Sequence, residues 1–163
     1  MMSVLFVLLA FLFCACSNSE NLSVSGQGTT VEVSEDSLSG MLRIMATGAT
    51  AILGTNAEEA RANERPEMQV NFDYDFSLGE HEVTCSEFDA LMKSATGLAL
   101  NCERDSLPAT NVTYFDAVLF ANERSKAEGF DTAYTYTSAG FDAEKHCTNL
   151  EGFAYRPEAN AYR

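Results

Sequence analysis

From Met68 to Phe76 apolar and polar side chains alternate without interruption. Met68, Val70, Phe72, Tyr74 and Phe76 fall on one side, and Gln69, Asn71, Asp73 and Asp75 on the other, which predicts one long strand with a solvated face. Upstream, Met41-Leu42-Arg43-Ile44-Met45 and Ala51-Ile52-Leu53-Gly54 read as two further strands joined by a turn at Thr47-Gly48. A short strand also fits Thr30-Val31-Glu32-Val33. Asn56 to Pro66 is charged and poor in apolar residues, so a one-turn helix and a surface loop fit it equally well.

Downstream the period changes from two to three and four. Thr84-Cys85-Ser86-Glu87 has capping-box spacing, and Phe88, Leu91, Met92 and Ala95 then share a helical face. A second helix is predicted from Thr113, with Asp116 three residues on, a stripe of Phe115, Val118, Leu119 and Asn122, and Gly129 placed to end it in the left-handed conformation. Tyr134-Thr135-Tyr136-Thr137 alternates like a short strand, while Ser138 to Tyr155 reads as mostly turn. No internal repeat is visible.

The first residues differ from the rest. Val4 to Cys16, VLFVLLAFLFCAC, is apolar throughout and gives way at once to Ser17-Asn18-Ser19-Glu20-Asn21. Such a run is shorter than the roughly 20 residues of a membrane-spanning helix and matches the apolar region of a signal peptide. Phe13-Cys14-Ala15-Cys16 resembles the bacterial lipoprotein box, with small Ala15 before Cys16 as the lipid acceptor; Cys14 fits less well, since bulky Phe13 precedes it. Phe13 stands where leucine is usual, and no Lys or Arg precedes Arg43. The resemblance implies a signal peptide over residues 1–16, export to the bacterial cell envelope, and attachment to the membrane through acyl chains on Cys16. Residues 17–39, rich in Ser, Asn, Thr and Gly, then read as a flexible tether to a domain spanning 40–163.

Charge removes one class of partner. The 163 residues carry 10 Lys+Arg against 24 Asp+Glu, a formal net charge of −14, with no basic cluster. Nucleic-acid binding rests on neutralising phosphates, so no nucleic-acid partner is expected. An acidic surface of this kind is expected to serve solubility, with a face for cationic partners or calcium as the alternative.

Candidate chemistry is sparse. His81 lies between Glu80 and Glu82, but in extended chain it points away from both, so a structural role is favoured over a metal site. Asp73 and Asp75 share a strand face without the further oxygens that calcium requires. Cys85, Cys102 and Cys147 allow three disulfide pairings. For His146-Cys147 a thiolate–imidazole pair is set against a disulfide at Cys147, and the disulfide is favoured because adjacent side chains usually diverge. Asn111-Val112-Thr113 matches a glycosylation acceptor, but with a bacterial leader it reads better as the start of the second helix. There is no nucleophile elbow, phosphate-binding glycine loop or dinucleotide fingerprint.

The order of these signals resembles a known family. Met41-Leu42-Arg43-Ile44, Leu53-Gly54-Thr55, Glu64-Arg65-Pro66, the long strand, and Gly79-Glu80-His81-Glu82-Val83-Thr84 with Phe88 resemble the opening of the formylglycine-generating-enzyme (sulfatase-modifying-factor) domain. Leu107-Pro108-Ala109-Thr110-Asn111-Val112-Thr113-Tyr114-Phe115-Asp116-Ala117 resembles its next block, and Ala161-Tyr162-Arg163 the start of its "tyr-arg-leu-pro-thr-glu" signature. Ala46-Thr47-Gly48 and Tyr114 depart from the usual Pro-Gly-Gly and tryptophan, and Ser138 to Glu158 reads as an insertion.

The resemblance implies an irregular α+β fold of the C-type-lectin-like kind, here truncated. It also implies a parent activity in which copper held by two cysteines, with oxygen, oxidises a sulfatase cysteine. The copper-binding cysteines and most calcium ligands of the family belong to its later half. Neither copper nor calcium is therefore expected in this chain, no catalytic, cofactor-binding or metal residue is assigned, and the segment is expected to be non-catalytic. The alternative is a lectin-like surface module that binds protein or glycan without turnover; a third reading is a copper oxidase in the intact parent. Missing packing partners are also expected to leave Phe88/Leu91 and Phe115/Leu119 partly uncovered.

Overall fold

The computed structural model describes residues 20–22, 31–38 and 40–163. The leader, Cys14 and the lipid-acceptor position Cys16 lie outside the described residues. The chain forms two compact units, one through Glu80 and one from His81 to Arg163. Among the described residues the chain has the coarse class expected, a mixed α+β architecture of two α-helices, both in the second unit, and several small antiparallel sheets. Among the described residues no helix is long and apolar enough to cross a membrane.

In the first unit, β1 (Glu20–Leu22), β2 (Val31–Glu35) and β3 (Met41–Met45) run antiparallel in that order. β4 (Thr50–Leu53) and β5 (Met68–Asn71) form a separate ribbon, and β6 (Phe76–Gly79) returns to pair along β3. The sheet therefore begins upstream of Gly40: Val33 pairs with Ile44, inside the segment read as tether. Of the two valines of β2, Val33 provides the apolar cross-strand pair with β3.

The long strand is not continuous. Residues 68–71 belong to the ribbon and 76–79 to the sheet, with a break at 72–75. The break has an electrostatic cause. The Asp75 carboxylate accepts the Thr47 amide at 3.0 Å and the Thr47 hydroxyl at 2.8 Å, and lies 3.5 Å from the Arg43 guanidinium. These donors, the Thr47 amide foremost, hold its pKa below the usual carboxylate range. Period-two patterning reports which side chains alternate, not whether the two halves find the same neighbour.

Between the ribbon strands, residues 56–66 are a loop containing one short 3₁₀ turn, Ala62–Glu64. The Arg65 guanidinium knots it by donating to the carbonyls of Ala57, Glu58 and Ala60. Gly54 is required where the loop leaves β4: its φ is +80°, and a side-chain carbon there would meet the Glu64 carbonyl oxygen at 2.8 Å.

The second unit is organised on two helices, α1 (Cys85–Ala95) and α2 (Tyr114–Ala127). Both begin at the predicted caps. Thr84 and Glu87 exchange hydrogen bonds in a complete capping box, as do Thr113 and Asp116. Gly129, at φ +79°, ends α2 as its composition predicts, and the next amide, Phe130, donates back to the Ser125 carbonyl at 2.8 Å. Phe88 stacks on Phe120 with ring centroids 5.3 Å apart, and Met92, Leu98, Val118, Leu119, Cys147 and Leu150 complete the core. Of the two faces expected to be partly uncovered, Phe88 and Leu119 are only 2% and 3% exposed, whereas Leu91 and Phe115 are half-buried. The two helices and the strands that follow cover Phe88 and Leu119 from within the unit.

Ser138 to Tyr155, read as turn, contains three strands. After β7 (Tyr134–Thr135) come β8 (Ser138–Phe141), β9 (Cys147–Glu151) and β10 (Ala154–Tyr155). β8 and β9 form a hairpin with a register shift at Gly140/Phe141, and β7 pairs with β10. These strands lack the apolar alternation that marks a half-buried surface: only Cys147 and Leu150 of β9 are buried.

Cys85 and Cys102 form a disulfide, with Cα atoms 6.4 Å apart. It ties the segment after α1 back to that helix's first residue, where the Cys85 amide also donates to the Leu107 carbonyl at 2.8 Å. The chain from 96 to 107 has no regular structure, so it depends on such cross-links. Replacing both cysteines by alanine frees a loop closed over 17 residues. We expect a loss of about 3 kcal/mol in urea unfolding, the value chain entropy assigns to a loop of that length.

Candidate functional site

The most constrained polar group in the second unit is the carboxylate of Asp116. Its position follows from the capping box: three residues into α2, its side chain turns back toward Thr113 and accepts that amide at 2.9 Å through Oδ2. The same carboxylate reaches past the helix. Oδ1 accepts the amide of Cys147 at 2.7 Å, and Oδ2 lies 2.7 Å from Nδ1 of His146. The Thr113 hydroxyl, which caps the Asp116 amide, donates to the Cys147 carbonyl at 2.7 Å. Both backbone groups of Cys147 are thus held by the first turn of α2.

Asp116 is fully buried, and burial alone would raise its pKa. The Cys147 amide, the His146 ring and the Thr113 amide and hydroxyl together outweigh that and hold it below the usual range. His146 is pushed the other way. Its hydrogen bond to Asp116 raises its pKa, opposed by desolvation and supported by Asp142 and Glu144 nearby. The arrangement is an imidazole with one nitrogen fixed by a buried carboxylate and a side chain 24% exposed.

This corrects one expectation. Cys147 is not in a disulfide but is a free, fully buried cysteine, while His146, as expected, does not pair with its thiol. Its Sγ lies 3.4 Å from the Asn149 carbonyl oxygen. Burial, followed by the Asp116 charge, pushes the thiol pKa up despite the Asn149 carbonyl, which makes the thiolate scarce. The two adjacent side chains diverge: His146, in the turn before β9, meets Asp116 of α2, and Cys147 enters the core.

The other candidates stay apart. His81 and Glu82 are exposed, as is Glu80. Asp73 faces solvent, but Asp75 is engaged by Thr47 and Arg43, so the pair does not form one solvated face. Asn111 sits in the left-handed region at φ 59°, shaping the turn before α2. Among the described residues no group of three or more His, Cys, Asp or Glu side chains is placed to hold a metal ion. The cysteines among the described residues do not suit copper either: Cys85 and Cys102 are spent on each other, and Cys147 is buried.

Sequence reasoning missed a surface. Tyr114 and Phe115, from the first turn of α2, meet Phe153 with centroids 6.3 and 6.1 Å away, and Phe153 stacks on Tyr134 at 5.8 Å. Tyr134 in turn meets Tyr155 at 5.4 Å. Tyr114 is 64% exposed, Tyr155 45% and Phe153 37%, so five rings make one contiguous, partly solvated patch. Only the alternation at Tyr134–Thr137 hinted at it. Phe153 and Tyr155 join because β9 and β10 bring them back beside α2.

Two measurements check this geometry. Asp116→Ala strands the Cys147 amide and removes a helix cap, and we expect about 2–4 kcal/mol lost in urea unfolding, against under about 0.5 for exposed Asp131→Ala. Cys147 should resist a thiol-alkylating reagent in native buffer and react only in denaturant; rapid native labelling would contradict its burial.

Comparison with known proteins agrees with the motifs. The family profile described as Sulfatase-modifying factor enzyme 1-like domain matches residues 28–156. No curated protein and no solved structure matched the chain. The strand, the capped helices and the Asp116 block all fall inside the matched region, and the chain belongs to the sulfatase-modifying factor enzyme 1-like domain family.

Proposed function

We propose that this chain is an exported envelope lipoprotein carrying a sulfatase-modifying-factor-like domain that does not catalyse oxidation within these residues. Support for the first half is the leader: an apolar run ending in Ala15-Cys16 and followed at once by polar chain. Support for the second is the state of the thiols, the observation on which the reading rests. The parent chemistry needs a pair of accessible cysteines to hold copper. Of the cysteines among the described residues, two are joined in a disulfide and the third is buried with a raised pKa.

A binding role is the second reading, favoured by the aromatic patch. The family resemblance implies a C-type-lectin-like fold, and an exposed set of tyrosines and phenylalanines offers apolar faces with hydroxyl edges to a protein or glycan ligand. Aromatic anchors of this type dominate the energetics of interfaces. The acidic surface argues against a nucleic-acid partner.

The anchor is tested by labelling cells with a palmitate analogue. The wild-type chain should take up label and sediment with membranes, and Cys16→Ser should do neither. Binding is tested on glycan and protein arrays: a ligand of the wild type should bind more than about tenfold more weakly to Tyr114→Ala/Phe153→Ala, with the fold checked by circular dichroism. Copper-dependent oxidation of a cysteine peptide by the purified chain would sink the non-catalytic reading.

A further inference from the structure

The β8–β9 hairpin is fastened to α2 by very few polar contacts, and one of them titrates. His146 closes the hairpin turn: its amide donates to the Asp142 carboxylate at 2.8 Å, its carbonyl accepts the Asp142 amide at 3.0 Å, and its ring reaches Asp116 on the helix. We propose that the His146–Asp116 contact is a proton-controlled latch, which clamps the hairpin to the start of α2 when the imidazole is charged and loosens it when the imidazole is neutral.

The geometry carries the argument. Asp116 is fully enclosed, ionised and already accepting two amides, so Nδ1 of His146 must present a proton to it at 2.7 Å. A protonated ring does so in every case. A neutral ring does so only as the Nδ1–H tautomer; the other tautomer turns a lone pair toward a carboxylate. The charged groups facing His146 are Asp116 from α2 and Asp142 and Glu144 from its own turn, all acidic, with Lys145 beside it in the chain. The charged imidazole is the form they favour.

The direction of the pH effect follows from linkage. The folded pKa of His146 is raised, so its contribution is complete below the unfolded value of about 6.5 and is lost as pH rises through the folded value. The folded pKa of Asp116 is lowered, so its contribution is present above about 3.9 and is lost as pH falls through the folded value. The latch is therefore fully closed in mildly acidic solution. Phe153 lies two residues beyond β9 and packs on Tyr114 and Phe115, so a looser hairpin also loosens the aromatic patch. The latch does not depend on what that patch binds.

The test is amide hydrogen exchange on the full chain in mild detergent, corrected for intrinsic rates, at about pH 5.5 and about pH 8.5. Protection of the Cys147 amide should fall at least about tenfold at the higher pH, while the Phe88 amide in α1 stays constant. His146→Gln should abolish the difference. No change at Cys147, an equal loss at Phe88, or the same pH dependence in His146→Gln would overturn the latch. If that variant fails to fold, the imidazole titration of the wild type decides by NMR. A midpoint above about 6.5, tracking Cys147 protection, is expected, and one at or below that value overturns the proposal.

Discussion

The second unit depends on one buried carboxylate doing two jobs. At the N-terminus of a helix, Asp116 would ordinarily satisfy a single orphan amide. Here its remaining capacity is turned outward to the backbone of Cys147, thirty-one residues on, and to the ring of His146. A charge taken fully out of water survives only where hydrogen-bond donors replace the lost hydration, and this one has three. Removing any donor leaves a buried charge less well paired, so the helix start, the hairpin and the histidine stand or fall together.

The same logic repeats along α2. Asn122, buried on the helix, donates to the carbonyl of Tyr134 at 2.8 Å and accepts its amide at 3.2 Å. Ser125, also buried, accepts the amide of Tyr162 at 2.9 Å while its hydroxyl donates to the Ala121 carbonyl. Three buried polar residues thus seize the backbone of three later segments. Those segments have only short strands, so their peptide groups lack ladder partners, and the helix side chains supply them. Apolar burial gives the core its driving force, but these contacts decide where an irregular chain lies upon it.

A scaffold of this kind separates stability from recognition. The disulfide and the Asp116 network sit in the interior or at its edge, and the rings of Tyr114, Phe153 and Tyr155 lie outside, carried by the elements that the network joins. Loops held by internal polar contacts tolerate change on their outer surfaces. That is the physical basis for reading the module as one that presents a surface, and for expecting proton binding at His146 to be felt there.

The chain's own sequence specified the local structure well wherever a local rule applied. Thr84/Glu87 and Thr113/Asp116 located both helix starts, Gly129 located an end, and the ordered motifs from Met41 to Ala117 named the family. Each is decided by residues within a few positions of one another. Tertiary structure decided the rest. The long alternation at 68–76 broke because Thr47 and Arg43 captured Asp75, and the strands after Ser138 formed because partners 6 or more residues away satisfied their backbones. Cys85 chose Cys102 and left Cys147 free because the segment after α1 folds back on that helix, whereas Cys147 is drawn under α2 by Asp116. Which cysteine, which carboxylate and which ring meet is a question of distance across the fold, and spacing along the chain carries no record of it.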